Sequence, residues 1–169
     1  LCHMLMGKFY GNDSGDNMFG QKMSAFAANP MEYAEASKVA LYGVADYSWN
    51  MKAYDAQGNW ERAIRYLMPD NADAFHVFCE HNVDLGSTVH GLRRDGESPN
   101  FNTAALRQEI RAQYDLMVSS ADALLADTYN PSLITEITPW LLKMKYMGQR
   151  GQKEIGIQSV RMGNIVGIH

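Results

Sequence analysis

Apolar residues recur at helical spacing in five successive stretches of this chain, and this pattern constrains its fold more than any other feature. The stretches are separated by Pro, Gly and Asn residues of the kind that end or begin helices. Each is long enough for a helix of three turns or more. The sequence therefore predicts a mainly α fold.

The first helix is predicted to begin at Asn29. Asn is a favoured N-cap, and Pro30 at the first helical position loses nothing by lacking an N–H. Glu32 can complete a capping box. The apolar residues that follow predict a largely buried helix: Ala34, Val39, Leu41, Val44, Ala45 and Tyr47. Asn29 is thus either a cap alone or a residue that also contacts a ligand.

Two further helices follow closely. One is predicted to stop before Pro69, and the next to be capped by Asp70 and to end at Gly86. Their apolar faces are Trp60, Ile64 and Leu67 in the first, and Ala74, Phe75, Phe78 and Cys79 in the second.

The last two helices meet at Asn130-Pro131, which ends one and opens the other. A kink is expected near Pro139, and no structure is assigned to the glycine-rich tail after Gly148. The predicted core residues are Leu106, Ile110, Met117, Ala121, Leu124 and Leu125, then Leu133, Ile137, Trp140, Leu141, Met144 and Met147.

Two segments carry loop composition. Residues 1–28 are rich in Gly, Asn and Asp and predict a loop with at most a short strand. The segment "STVHGLRRDGESPNFN" at 87–102 is polar, contains Gly and Pro, and is the best candidate for a domain boundary.

Charge and hydropathy argue against two classes of partner. The net charge is −4, and the Arg93-Arg94 pair is followed at once by Asp95 and Glu97, so nucleic acid is not expected. The apolar runs stay well short of the roughly 18 residues of a membrane span. Cys2 and Cys79 could pair, stay free or be buried, which leaves the compartment open.

No self-contained catalytic motif is visible, and we predict neither a metal nor a cofactor. Cys79-x-His81 with Cys2-His3 fits no standard zinc spacing, so buried thiols and surface imidazoles are the simpler interpretation. Glu32 and Glu35 are explained as acids in a first helical turn. Five aromatic residues could stack on sugars but more often belong to a core: Tyr42, Tyr47, Trp49, Tyr54 and Trp60.

Six short motifs occur in one order: "YGND" at 10–13, "NPMEYAEASK" at 29–38, "ADYSWN" at 45–50, "HNVDLG" at 81–86, "HGLRR" at 90–94 and "EITPWL" at 136–141. Together they resemble the β-N-acetylglucosaminidases of glycoside hydrolase family 84, the O-GlcNAcase and hyaluronidase-like enzymes. The resemblance runs from about Leu5 to about Met147. It implies the end of a (β/α)₈ barrel at residues 1–94 and part of a post-catalytic helical bundle at 95–169.

The resemblance also implies substrate-assisted catalysis with retention, in which the 2-acetamido oxygen of the sugar is the nucleophile. The family uses an adjacent Asp-Asp pair for this reaction, and that pair is absent here. We therefore expect a fragment that is inactive alone and contributes no catalytic residue.

By the same resemblance Asn29 is a substrate-binding residue that hydrogen-bonds a ring hydroxyl of N-acetylglucosamine. The partner would be a glycan or glycoprotein that carries this sugar, reached through the parent enzyme. The competing function is a non-catalytic helical module for dimerisation or protein interaction, with a homodimer formed through the bundle.

Overall fold

The computed structural model describes residues 8, 25, 27–30, 32–83 and 104–166. All regular structure in these ranges is helical, which confirms the mainly α fold. The elements are α1 (Ala34–Trp49), α2 (Ala56–Leu67), α3 (Ala72–Val83), α4 (Ala104–Leu125) and α5 (Pro131–Val166). Nearly all of the loop expected over 1–28, the stop at Gly86 and the boundary at 87–102 lie outside the described residues.

Local signals set the bounds of α2 and α3. The side chain of Asp55 accepts the Gln57 N–H at 3.1 Å and caps α2, which ends before Pro69 as predicted. The cap predicted for α3 was wrong by one residue. Asn71, rather than Asp70, precedes the helix, and its carbonyl accepts the Phe75 N–H at 2.9 Å.

The glycine-rich tail after Gly148, to which the sequence assigned no structure, is helical as far as Val166, because α5 runs for 36 residues. The helix is continuous through Pro139, although the proline has no N–H to bond the carbonyl four residues earlier. The kink expected near Pro139 stays a prediction. Glycine is a poor helix former, so the sequence pattern in this region is weak.

The glycines of α5 persist in the helix because two of them make room for α4. A Cβ on Gly151 would lie 2.2 Å from the Tyr114 ring, and one on Gly148 would lie 2.7 Å from Val118 Cγ2. A side chain larger than hydrogen fits at either place only if the neighbouring atoms of α4 move. The glycines that weaken the helical pattern, Gly148 and Gly151, are thus the residues at which α5 approaches α4 closely enough to exclude a Cβ.

One apolar core joins all five helices. Phe75 and Phe78 of α3 lie at its centre, stacked with ring centroids 6.1 Å apart and almost fully buried. Burial of each ring contributes about 1.5–3 kcal/mol. The stripes predicted for the last two helices are confirmed by buried Ile110, Met117, Ala121, Leu124, Leu133, Ile137, Leu141 and Met144. Tyr114, which the pattern did not single out, is buried with them.

Helix α1 is less buried than predicted. Its buried residues are Ala36, Ser37, Val39 and Gly43, whereas Ala34 and Ala45 are exposed. The apolar residues of α1 are spread around the helix, and only the side that meets the core is covered.

A polar contact joins α1 to α2. Asn59 is 1% exposed, and its side-chain amide donates to Asp46 Oδ2 at 2.9 Å. Arg62 reaches the same oxygen at 3.2 Å from a more exposed position. The Asp46 carboxylate therefore satisfies a buried donor, which explains this position of the "ADYSWN" motif in structural terms.

We predict that Gly151→Ala destabilises the chain by about 1–3 kcal/mol, because the new methyl group must displace the Tyr114 ring. Gly156→Ala is the matched control on the same helix, since a Cβ there meets nothing within 4 Å. That control should raise stability by about 0.5–1 kcal/mol. Urea unfolding followed by circular dichroism measures both, and equal effects would contradict the close contact.

We also predict that Asp46→Ala costs about 1–3 kcal/mol, because the buried Asn59 amide loses its acceptor. Asp46→Asn keeps an oxygen in place and should recover most of the loss. Asp122→Ala is the control, because its partner Lys145 is a surface cation and such pairs contribute at most about 1 kcal/mol. If Asp46→Ala lowers the free energy of unfolding no more than Asp122→Ala does, the Asp46 contact contributes no more than a surface ion pair.

Candidate functional site

Asn29 lies in an exposed segment, 27–30, that is not part of a helix. The prediction that it caps the first helix was wrong. Helix α1 begins at Ala34, with Tyr33 at the N-cap position and no side-chain cap hydrogen bond. Pro30 and Glu32 consequently precede the helix, and Glu35 is the acid of its first turn.

The first turn of α1 is satisfied by a carboxylate from the other half of the chain. Glu136 of α5 accepts the Ala36 N–H through Oε2 at 2.9 Å, across a separation of 100 residues. A carboxylate at this end of a helix also complements the helix dipole. The sequence-local capping box is therefore replaced by a tertiary contact, which the residues around Asn29 do not reveal.

An aromatic contact lies beside this hydrogen bond. The rings of Tyr33 and Trp140 meet edge to face with centroids 5.3 Å apart and an interplanar angle of 89°. Both rings pack against the core from its rim. We refer to Tyr33, Ala36, Glu136 and Trp140 together as the α1 clamp. It joins the motif at 29–38 to the motif at 136–141.

The second Asn-Pro pair in the chain, Asn130-Pro131, does form a side-chain N-cap. Asn130 precedes Pro131, the first residue of α5, and its Oδ1 accepts the Leu133 N–H at 3.2 Å. Its carbonyl accepts the Ile134 N–H at 3.1 Å. The same dipeptide at 29–30 has no such role, so the side chain of Asn29 is not used as a helix cap.

The five aromatic residues Tyr42, Tyr47, Trp49, Tyr54 and Trp60 were expected to belong to the core, and most of them do not. Trp60 alone among the five is buried, and its ring lies 4.7 Å from that of His76. Tyr47 and Tyr54 are half-buried and pack edge to face, whereas Trp49 is 90% exposed. The ring contacts of this series fall into separate pairs, Tyr42 with Tyr66, Tyr47 with Tyr54 and Trp60 with His76.

Among the described residues, the Glu35 carboxylate is already paired and no metal-binding cluster occurs. Glu35 is paired with Lys38 Nζ at 2.6 Å on the surface of α1. Within the described ranges no group of three or more His, Cys, Asp or Glu residues could hold a metal ion. Of the four residues considered as zinc ligands, Cys2, His3, Cys79 and His81, the first two lie outside those ranges.

Cys79 is a free thiol at the centre of the core. Complete burial raises the pKa of this thiol well above its ordinary value, because the thiolate would lose its hydration. The thiol is therefore protonated at neutral pH and is a packing residue, not a nucleophile.

A shallow cleft between α2 and α3 was not anticipated from the sequence. Its polar lining consists of Glu61, Arg65, Asp73 and His76, and Ile64 and Ala72 form its floor. These charges have both signs and face solvent, and no sequence motif connects them.

A membrane-spanning segment is likewise missing from the described helices, none of which combines the necessary length with an apolar surface.

Comparisons with known families divide the chain into two matched segments. Residues 2–80 match the family described as beta-N-acetylglucosaminidase. Residues 89–162 match the family described as "Bacterial GH84, post-catalytic domain". The first segment contains Tyr33 and Ala36 and the second contains Glu136 and Trp140, so the α1 clamp joins the two matched segments.

A solved structure titled "Structure of CpGH84B" has a similar fold. It superposes with a TM-score of 0.71 over 87% of this chain at 22% sequence identity. This chain covers 28% of the chain in that structure. The two adjacent family matches, which together cover most of the chain, identify it as a member of glycoside hydrolase family 84.

Proposed function

We propose that this chain is part of a retaining exo-β-N-acetylglucosaminidase that releases terminal β-linked N-acetylglucosamine from glycans or glycoproteins. Asn29 is its contact with the sugar. The observation that carries this proposal is the position of Asn29, which is exposed and not used as a cap although it lies in a family motif. The match of residues 2–80 to the β-N-acetylglucosaminidase family supports it further.

The chemistry of the Asn29 side chain suits a sugar hydroxyl. A primary amide offers two N–H donors and one oxygen acceptor, so it can donate to and accept from hydroxyls at once. A loop beside a packed helix is also a common location for a binding residue. Asn29 would hold the ring in place without taking part in proton transfer.

The reaction we propose for the parent enzyme is substrate-assisted. The 2-acetamido oxygen attacks the anomeric carbon as the glycosidic bond breaks, and a carboxylic acid protonates the leaving oxygen. Water then opens the resulting oxazoline, which retains the configuration. This sequence contains no adjacent Asp pair, so its proposed share is to bind and orient the sugar.

The proposal includes the division of the chain that the motifs predict. Residues 1–94 would belong to the catalytic barrel and residues 95–169 to the helical bundle. The alternative, a non-catalytic helical module for dimerisation, stays a prediction. A molecular mass in solution of twice that of the chain would support the homodimer, and the mass of a single chain would contradict it.

We predict that Asn29→Ala in the full-length enzyme raises KM for an aryl β-N-acetylglucosaminide about tenfold, because one hydrogen bond to the sugar is lost. Its melting temperature should stay close to that of the wild type, since no helix cap is removed. Steady-state kinetics and a thermal melt measure the two effects separately.

Asn130→Ala is the matched control, because it removes a real Asn cap before a Pro. It should lower stability by about 1 kcal/mol and leave KM unchanged. If instead Asn29→Ala behaves like this control, with lower stability and unchanged KM, the assignment of Asn29 to the sugar is wrong.

A further inference from the structure

We infer that Glu136 is a positioning residue for substrate binding: from the post-catalytic segment it holds the start of α1, and thereby holds Asn29 where the sugar binds. This inference rests on the proposed function of Asn29. It assigns to the helical segment a direct influence on the affinity for substrate, beyond its contribution to the core.

The dependence of α1 on Glu136 follows from how the helices are capped. Asp55 caps α2 and Asn130 caps α5, each with its own side chain. Helix α1 has no side-chain cap from its own N-cap residue, Tyr33. Its Ala36 N–H donates to Glu136 at 2.9 Å, so the side-chain acceptor at this helix end comes from another element.

The carboxylate of Glu136 is held by a well-packed turn of α5. Leu133 and Ile137 on the same turn are fully buried, and Trp140 lies one turn further along. A side chain carried on a packed helix is more precisely placed than one on a loop. Glu136 can therefore act as a fixed point for α1.

The clamp lies close to Asn29 along the chain. Tyr33, the residue whose ring meets Trp140, is four residues after Asn29, so the two Cα atoms are at most about 14 Å apart. Pro30 further restricts the backbone in this interval. The position of Tyr33 therefore limits how far Asn29 can lie from the start of α1.

The test is a double-mutant cycle in the full-length enzyme, with kcat and KM measured on an aryl β-N-acetylglucosaminide. The variants are Asn29→Ala, Glu136→Ala and the two combined. Glu136→Gln is included because its amide oxygen still reaches the Ala36 N–H without the charge. Glu154→Ala is the control, a Glu on the same helix whose partner is the exposed Arg150.

We expect Glu136→Ala to raise KM about threefold to tenfold with little change in kcat. Glu136→Gln should show a smaller increase, and Glu154→Ala none. In the Asn29→Ala background, Glu136→Ala should add little, because the contact it positions is already gone.

The outcomes separate the two proposals. If Asn29→Ala raises KM but Glu136→Ala and Glu136→Gln do not, or if the two effects multiply, Glu136 does not act through Asn29 and this inference fails alone. If Asn29→Ala leaves KM unchanged, the proposed sugar contact fails, and this inference fails with it. Should Glu136→Ala not fold, the size of the Glu136→Gln effect in the two backgrounds decides.

Discussion

The close packing of α4 against α5 is the constraint on which the rest of the described structure depends. Gly148 and Gly151 let the backbone of α5 approach Tyr114 and Val118, and this contact fixes the register of the long helix. Glu136 lies twelve residues before Gly148, about 18 Å along the helix axis. A glycine contact in the middle of α5 therefore helps to set where the Glu136 carboxylate, near the start of the helix, is presented to α1.

Helix existence could be predicted from the sequence where the signals are local. The caps by Asp55 and Asn130, the stop before Pro69 and the apolar stripe of α4 all depend on residues within a few positions of each other. The end of α5 could not be predicted in this way. Its glycines lower helix propensity, and the contacts that this part of α5 makes with Tyr114, Val118 and Asp115 of α4 are distant in sequence.

The two Asn-Pro dipeptides show why the candidate site was harder to predict than the fold. Both have the composition of a helix start, yet only Asn130 is a cap. At the start of α1 a carboxylate distant in sequence, that of Glu136, accepts the Ala36 N–H and so takes the role of an N-cap side chain, which was predicted for Asn29. The motif resemblance supplied the family and Asn29, whereas the contact that organises its neighbourhood is visible only in three dimensions.

The shared core has a consequence for how such a chain can evolve. Phe75 and Phe78, from the segment matched to the glucosaminidase family, are buried in the same cluster as Met117 and Leu141, from the post-catalytic segment. Recombination between relatives at 81–88 would pair two surfaces that had not adapted to each other's shape. The mismatch would cost about 1–3 kcal/mol at each overpacked position of the core. Selection should consequently pass the two segments on together, as a single heritable unit.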